Sequence, residues 1–511
     1  MTPQSSSSQV DEANRSETEK SVTPGSERDT PSLPRIDPRK PNSTDLPGRD
    51  EYLVEFDGPE DPANPQNWPT RTKVLIIAIL STTTFATTLA SGIYSPAITT
   101  IANRYAVGPE VATLGVTLYV LGFAAGPILW GPLSEVKGRR LPLVVAAFGT
   151  AIFHFATAVS KDIQSILINR FFAGFFGTSP LAVAGGVFVD LFDNTTRGFA
   201  VTVFTLCVFI GPMVAPFLGG FIVTSHLGWR WTMHLSGILA SAAAVLNLMF
   251  VYESYAPIIL AQKAAKLRRE TKNWAIHAKI EETEVDIRVL VGRTIYSAFI
   301  YGLLYLFLTA YPKIFQGVYG MSPGVGGLPE LGPVLGCVIT GIVMILRQPV
   351  YVRKLESNKN LPVPEWRMLE AMYGAVLFAG GLFWLGWSGY RKEVHWIVPT
   401  IGGVVAGHGI SLVFLQTFNY LIDSYLMLAA SAIAANTFLR SLFGAISPLF
   451  ASYMFDGMGI QWALTLLGCF ASLLAPVPII FYFKGAYIRK VSKYAPKLNL
   501  KPVTDRKTEE V

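Results

Sequence analysis

Long apolar runs separated by short polar segments fill most of the chain between residues 74 and 483. A helix that crosses a bilayer needs about 20 apolar residues. Eleven runs meet or nearly meet that length, and a twelfth, at 295–311, is shorter. The pattern therefore predicts an all-α integral membrane protein with twelve transmembrane spans. The predicted spans lie at 74–94, 111–133, 141–160, 166–187, 198–224, 232–251, 295–311, 327–346, 368–389, 396–420, 426–453 and 461–483.

The polar segments divide the chain into five regions. Residues 1–70 are rich in Ser, Thr, Pro and charged residues, which is typical of a disordered tail, and they contain no apolar segment of the kind found in signal peptides. A charged linker at 253–293 separates six spans within 71–252 from six spans within 294–483. Residues 484–511 form a second polar tail. This layout predicts two six-helix bundles.

Composition agrees with a membrane protein. Hydrophobic residues make up 51% of the chain and charged residues only 15%, whereas about a quarter of the residues in soluble domains are charged. The net charge is +7, but the basic residues are dispersed among short loops, so we expect no nucleic-acid partner. Cys207, Cys337 and Cys469 each lie in an apolar run, which argues against a disulfide framework and a cysteine-based metal site.

The distribution of Lys and Arg predicts the orientation. With a cytoplasmic N-terminus, 34 of the 42 basic residues fall in the tails, linker and loops on the cytoplasmic side, and six fall on the outer side. Cytoplasmic loops carry an excess of Lys and Arg in membrane proteins. We therefore expect both termini to be cytoplasmic.

The sequence GPLSEVKGRR occupies the predicted loop between the second and third spans. Gly131 and Gly138 permit a tight turn, and Glu135 lies close in sequence to Arg139 and Arg140. A carboxylate among cations at a helix end can form ion pairs in one conformation and lose them in another. These five residues are predicted to form a conformational latch.

This segment resembles the loop signature of the major facilitator superfamily, G-x-L-(S/A)-(D/E)-x-x-G-R-(R/K). Together with NPQNWP, NRFFAGFFGTSPLAVAGG, LGWRWT, ESYAPIIL and NTFLRSLFGAISPLF, it is similar to the fungal branch of the twelve-span drug:proton antiporters, over roughly residues 60–490. The resemblance implies the two-bundle fold of that superfamily. It also implies a monomeric plasma-membrane exporter of drugs, toxins, polyamines or secondary metabolites that works by proton antiport.

The fifth span contains GPMVAPFLGG, which is similar to the antiporter signature of the superfamily but carries Ala215 where the family has glycine. Glycine and proline together favour a helix that bends and packs closely against a neighbour. The segment is therefore predicted to bend as the two bundles move. Its candidate residues are Gly211, Pro212, Pro216, Gly219 and Gly220.

Two arginines fall inside predicted spans. Arg170, in the fourth span, matches a basic residue of the family, and Arg440 lies near the centre of the eleventh span, one helical turn from Asn436. A charge at membrane depth is costly and normally faces a partner or a watery cavity. Arg170, Asn436 and Arg440 are therefore predicted to take part in coupling or substrate binding.

Acidic residues at membrane depth are scarce. Glu330 and Glu370 lie near span ends, and Asp190 and Asp423 lie at cytoplasmic span ends, so all four are predicted to be solvated caps or latch partners. The resemblance implies a glutamate before the Ala-Tyr-Pro of the seventh span, but this chain carries Thr309 there. His154 and His408, both inside spans, are predicted to form hydrogen bonds between helices.

The sequence favours a secondary transporter over the other classes of membrane protein. It lacks the phosphate loop G-x-x-x-x-G-K-(S/T), which argues against an ATP-driven pump. The predicted function is export of a small molecule by alternating access with proton antiport, with no catalytic, cofactor or metal site. The alternative is a carrier of an organic anion or another small metabolite, working as a facilitator or symporter. A transporter-like sensor and a membrane-embedded enzyme are weaker alternatives.

Overall fold

The computed structural model describes residues 53–272, 295–358, 362–425 and 429–491. Most of the predicted tail at 1–70, part of the predicted linker and most of the predicted tail at 484–511 therefore lie outside the described residues. The described part of the first tail, from residue 53, includes a short 3-10 helix at Pro65–Asn67.

The first half of the described chain contains eight helices before the linker, and a ninth within it. Proline at the start of α6 divides the fourth predicted span into two helices. The helices are α1 Thr70–Gly92, α2 Ile98–Tyr105, α3 Pro109–Val136, α4 Arg140–Val159, α5 Ile163–Gly177, α6 Ser179–Leu191, α7 Arg197–Thr224, α8 Arg230–Phe250 and α9 Ala256–Thr271.

The second half of the described chain contains seven helices. The shortened seventh span is α10, which has 17 residues and continues directly into a π-helical segment, Pro312–Val318. The helices are α10 Ile295–Tyr311, α11 Leu331–Ser357, α12 Met368–Gly389, α13 Ile397–Tyr425, α14 Ala429–Met458, α15 Ile460–Leu474 and α16 Pro476–Val491. Eleven segments of the described chain are long and apolar enough to cross a membrane, and α10 supplies the twelfth span. The predicted twelve-span, all-α fold is confirmed.

The helices pack as two bundles. In the first, α1 packs on α7, α3 on α5 and α4 on α8; in the second, α12 packs on α13 and α10 on α14. A Cβ at Gly174 would overlap the carbonyl oxygen of Tyr119, so only glycine allows α5 to lie this close to α3. The bundles meet where α14 packs on α3 and α6, and where α7 packs on α11.

The spans alternate in direction, so α1 begins and α16 ends on the same side of the molecule. We call this side the terminal end and the other side the opposite end. The loop at 137–139, the start of α7 and the end of α13 lie at the terminal end. The start of α11 and the end of α10 lie at the opposite end.

The linker contains a helix that the sequence did not predict. On α9, Lys263 forms an ion pair with Asp57 at 2.7 Å and donates to the carbonyl oxygen of Glu55, while Val54 packs near Ala264. These contacts attach the first described residues of the chain to the linker. Both segments were predicted only as polar regions, because the contacts join residues about two hundred positions apart.

Candidate functional site

Arg170 is fully buried on α5, with 0% of its surface exposed. Its Nη1 and Nη2 atoms donate to the carbonyl oxygens of Ala90 and Ser91 at 2.9 and 3.4 Å. Its Nε atom donates to the carbonyl oxygen of Gly115 on α3 at 2.9 Å. Ala90 and Ser91 belong to the last turn of α1, whose carbonyls lack partners within the helix and carry the negative end of its dipole. Arg170 thus caps α1 and ties it to α3 and α5.

Two tyrosine rings complete the surroundings of this guanidinium. The Arg170 Cζ atom lies 4.2 Å from the ring centroid of Tyr119 and 5.0 Å from that of Tyr94. Cation–π contact and three carbonyl acceptors compensate the burial of the charge. These contacts describe a residue that positions three helices, and its role in coupling or substrate contact stays a prediction.

Replacing Arg170 by Met is expected to destabilise the protein. The change leaves the carbonyls at the end of α1 buried without this donor, which costs about 1–3 kcal/mol for each group that stays unsatisfied. Thermal unfolding of purified protein should therefore begin at a lower temperature, and transport should fall with the amount of folded protein. Loss of transport in a variant with the parental unfolding temperature would instead support direct participation of Arg170 in coupling.

Arg440, on α14, has a different environment. It is 2% exposed, and its guanidinium lies between the rings of Tyr301 and Phe414, at 4.6 and 5.0 Å from their centroids. Its Nε and Nη1 atoms have no hydrogen-bond partner among the described residues. Buried N–H donors need an acceptor, and water or a ligand can supply one. Arg440 is therefore the stronger of the two arginines as a ligand-binding residue.

Asn436 lies one turn before Arg440 and is also buried, and its Oδ1 atom lacks a partner within the described structure. The sequence had grouped these two residues by helix periodicity. Other buried polar atoms on α13 and α14 also lack partners in that part of the chain. They belong to Gln416, Asn419, Ser424, Thr437 and Ser441. Polar groups of this kind, placed among aromatic rings, are typical of a small-molecule site.

A chain of contacts joins the two arginines across the bundle interface. The Tyr301 ring packs edge-on against Tyr305 with centroids 5.3 Å apart, and the Tyr305 hydroxyl donates to Ser91 Oγ at 3.4 Å. The carbonyl of Ser91 in turn accepts from Arg170. Arg440 of the second bundle is therefore linked to the helix cap that Arg170 forms in the first.

Aromatic side chains line the contact between α7 and α13. Phe209 packs edge-on against Phe414 with centroids 4.9 Å apart, and Phe204 stacks near Phe418 at 6.1 Å. Phe414 also lies under Arg440. The candidate site thus has aromatic walls from both bundles, which suits a ligand with an extended apolar body.

The predicted latch residues lie at the terminal end. Arg139 is buried, its Nε pairs with Asp190 at 3.0 Å, and its Nη1 donates to Ser134 Oγ at 2.9 Å. Burial opposes the charge of Arg139, but the Asp190 carboxylate outweighs this effect and raises the pKa of Arg139 above its usual value. Glu135 is also buried and within electrostatic reach of Arg139. Asp190 therefore pairs with a predicted latch residue, and its role as a latch partner stays a prediction.

Glu253, just after α8, contacts the predicted latch residues, and the sequence analysis missed it. Its Oε1 and Oε2 atoms accept from the backbone N–H groups of Arg139 and Arg140 at 2.8 and 3.1 Å. A carboxylate at the N-terminus of α4 satisfies free donors and lies at the positive end of the helix dipole. Gly138 has φ +90°, and a Cβ there would overlap this carboxylate. All the bonds described at the latch lie within the first bundle.

Replacing Glu253 by Ala is expected to lower thermal stability. The change removes three charge-assisted hydrogen bonds, donated by the backbone N–H groups of Arg139, Arg140 and Tyr255. Each is worth about 1.5–3 kcal/mol when charged groups take part. Thermal unfolding of the purified variant measures this effect. Glu270→Ala, which removes an exposed carboxylate from α9, is the matched control and should unfold like the parent. Equal unfolding temperatures for both variants would contradict the capping role.

A second ion cluster at the terminal end joins the two bundles. Arg197, at the start of α7, pairs with Asp423 of α13 through Nη2 and Oδ1 at 2.6 Å, and Arg367 pairs with the other carboxylate oxygen at 3.2 Å. All three residues are buried. Of the two roles predicted for Asp423, the solvated cap does not fit, because its carboxylate lies between two arginines inside the interface, and the role of latch partner stays a prediction. We call these three residues the terminal triad.

The glycine and proline segment of α7 contacts both bundles. Pro212 and Pro216 lie within the helix, and a Cβ at Gly211 would overlap Thr88 of α1. A Cβ at Gly219 would lie 2.7 Å from the carbonyl oxygen of Ile93, and one at Gly220 would lie 2.5 Å from that of Pro323 in the second bundle. Close packing at this interface explains the small residues. Bending of α7 during transport stays a prediction.

The remaining predicted polar residues differ in their surroundings. His408 Nδ1 lies 2.8 Å from Thr340 Oγ1 and joins α13 to α11, as predicted. His154 is buried, but neither ring nitrogen has a hydrogen-bond partner among the described residues, so the prediction fails for it. Glu330 is 1% exposed and is therefore buried rather than solvated. Glu370 lies 3.8 Å from Arg347 at the terminal end.

Comparisons with known proteins agree with this geometry. The chain is 45% identical to the multidrug transporter FLU1 of Candida albicans over 88% of this chain and 77% of that protein. It is 40% identical to the citrinin biosynthesis cluster transporter mrr1 of Monascus ruber, over 90% of this chain and 94% of that protein. The solved structure of the proton:xylose symporter XylE has the same fold, with a TM-score of 0.60 at 15% identity over 81% of this chain and 96% of that one. The sequence profile of the Major Facilitator Superfamily matches residues 80–448, and the chain belongs to this superfamily of membrane transporters.

Proposed function

We propose that this protein is a secondary active transporter that exports an amphipathic small molecule, of the drug, toxin or secondary-metabolite class, in exchange for protons. It lies in the plasma membrane as a monomer with both termini cytoplasmic, so that the terminal end faces the cytoplasm. The relatives named as a multidrug transporter and as a transporter of a citrinin biosynthesis cluster support the substrate class.

The observation that carries the proposal is the environment of Arg440. Its unused donors lie between aromatic rings, close to where α13 and α14 meet the first bundle. An amphipathic molecule supplies both an acceptor for the guanidinium and an apolar body for the rings. Two bundles around a central site are the arrangement that alternating access requires.

Contacts between the bundles differ at the two ends. The terminal end is held by the buried triad of Arg197, Arg367 and Asp423. At the opposite end, the Tyr453 hydroxyl donates to Glu110 Oε1 at 3.1 Å, and this hydrogen bond lies on the exposed surface. Because exposed polar pairs contribute about 0–1 kcal/mol, this bond holds the opposite end less strongly than the buried triad holds the terminal end, and we infer that the opposite end opens first. Release of the exported molecule to the outside is consistent with that order.

A carrier of organic anions is the second candidate function, and Arg440 also favours it. A buried cation with free donors stabilises a carboxylate or phenolate more than a neutral acceptor, because charge-assisted hydrogen bonds are the stronger ones. A lipophilic cation would be repelled by the same group. The two candidates therefore differ in the charge of the preferred substrate.

Transport into proteoliposomes with an imposed pH gradient tests the proposal. Ethidium serves as the lipophilic cation and fluorescein as the aromatic anion. We expect at least one probe to accumulate against its concentration gradient in the compartment that is more acidic, and a protonophore should abolish the accumulation. Movement that ignores the pH gradient and follows only the concentration difference of the probe would overturn proton antiport.

A further inference from the structure

Glu330 is a buried acid that the transport site described above does not use. It ends a 3-10 helix at Val325–Glu330, directly before α11 at the opposite end of the second bundle. The residue is 1% exposed, and its Oε2 atom has no hydrogen-bond partner in the described part of the chain. No described Lys, Arg or His forms an ion pair with it at salt-bridge distance.

Tyr311, the last residue of α10, is the titratable neighbour of Glu330. It is fully buried, its hydroxyl also lacks a partner in the described ranges, and it is within electrostatic reach of the Glu330 carboxyl. A Cβ at Gly403 would overlap the Tyr311 hydroxyl, so this glycine of α13 leaves the space that the hydroxyl occupies. Two unsatisfied buried oxygens thus lie near each other where α10, α11 and α13 meet.

The charged groups on the surrounding elements are engaged elsewhere. Lys313, in the π-helical segment, pairs with Asp456 at 2.7 Å. His408 of α13 contacts Thr340, ten residues further along α11 than Glu330. The charged residues of α7 and α13 in the terminal triad lie at the other end of the molecule. Glu330 therefore has no described cation to stabilise a negative charge.

The position of the acid differs from that implied by the family resemblance. Thr309, which stands before Ala310, donates its hydroxyl to the carbonyl oxygen of Leu306 on its own helix. That position holds no carboxyl group. Glu330 supplies one near the end of the same helix, because the start of α11 packs beside the end of α10 through the segments at 312–318 and 325–330.

We propose that Glu330 is the carboxyl group that binds the proton exchanged for the exported molecule. An ionised carboxylate buried without a counterion is strongly disfavoured, so the acid is protonated while the protein is closed around it. While the opposite end is open, water stabilises the ionised form, and the carboxylate takes a proton from the acidic side. The acid keeps this proton as the protein closes, and it releases the proton to the other side when the terminal end opens and water reaches it. This proposal rests on the proposed antiport function and adds to it the residue that carries the proton.

Two transport modes in proteoliposomes separate proton coupling from substrate binding. The first is accumulation of ethidium or fluorescein driven by a pH gradient, and the second is exchange of labelled for unlabelled probe at equal pH on both sides. Glu330→Gln keeps the size and a polar end but cannot release a proton. We expect exchange within about twofold of the parent and accumulation reduced by at least about tenfold, which corresponds to about 1.4 kcal/mol.

Glu370→Gln is the matched control, because it neutralises another carboxyl of the second bundle that lies near Arg347. It should keep both modes. Glu330→Asp should remain coupled with a shifted pH dependence of accumulation, which covers the case in which Glu330→Gln does not fold. Tyr311→Phe should shift the same pH profile while leaving exchange unchanged, since the Tyr311 hydroxyl lies within electrostatic reach of the Glu330 carboxyl.

The outcomes distinguish the two proposals. A parental protein that ignores the pH gradient contradicts antiport itself. Gradient-driven accumulation by the parent and equally by Glu330→Gln overturns the role of Glu330. Loss of both modes in folded Glu330→Gln also overturns it, because a residue that only binds the coupled proton is not needed for exchange of the probe at equal pH. An unchanged pH profile in Glu330→Asp counts against the proposal in the same way.

Discussion

Replacing Asp423 by Asn should open the terminal end of the protein and reduce transport by at least about tenfold, a factor equivalent to about 1.4 kcal/mol. Asp423 is the only carboxylate in the terminal triad, and it pairs with Arg197 of the first bundle and Arg367 of the second. Removing one partner of a buried ion pair costs about 3–5 kcal/mol, because the remaining charge is left uncompensated. The substitution therefore destabilises the conformation that is closed at the terminal end. The conformational population of the protein shifts toward states that are open at that end.

Reactivity of a reporter cysteine measures this shift. Ile433 is buried on α14, and its side chain occupies the space that a Cβ at Gly185 of α6 would take. In a background without the three native cysteines, Ile433→Cys should react slowly with a water-soluble maleimide and much faster when Asp423→Asn is added. Asp193→Asn removes an exposed carboxylate at the same end and should leave the reaction slow. If Ile433→Cys reacts with the maleimide at the same rate with and without Asp423→Asn, the triad does not hold the bundles together.

Replacing Arg440 by Met should abolish accumulation of fluorescein while leaving the protein folded. Hydrogen bonds to charged groups contribute about 1.5–3 kcal/mol. Losing the guanidinium should therefore weaken the binding of an anionic substrate by at least about tenfold. Its Nε and Nη1 atoms have no described protein partner, so losing these two donors leaves no described acceptor without its bond. Removing an unpaired buried charge is expected to keep or raise the unfolding temperature.

The matched control is Arg170→Met, which removes the same group from the other bundle. Because Arg170 donates to the carbonyl oxygens at the end of α1, its replacement should lower the unfolding temperature. This is the reverse of the effect expected for Arg440→Met. Ethidium transport should survive in Arg440→Met, because a cation gains nothing from this guanidinium. A lower unfolding temperature for Arg440→Met together with parental fluorescein accumulation would assign Arg440 a structural role.

The fold could be predicted from sequence because membrane spans are defined by length and apolarity, which are local properties. The latch loop was also local, and its turn at Gly138 and its arginines lie where the motif predicts them. Its partner Glu253 was missed because the bond joins residues 114 positions apart. The helix α9 was missed because its support comes from Asp57, far away in the chain.

The two intramembrane arginines show where sequence reasoning ends. Arg170 and Arg440 had the same features in the sequence, a cation within an apolar run. Their difference arises from tertiary structure, since only Arg170 reaches the free carbonyls at the end of α1. The burial of Asp423 and Glu330 was likewise hidden, because both lie near span ends, where solvent exposure is the usual expectation.

Paired distance measurements with spin labels test the central claim, that two bundles alternately open each end around one site. Labels at the exposed residues Lys137 and Glu356 report on the terminal end, and labels at Arg104 and Glu393 report on the opposite end. The account predicts opposite changes when the pH is lowered or a transported probe is added: one distance lengthens as the other shortens. Distances that stay constant, or that lengthen together at both ends, would contradict it.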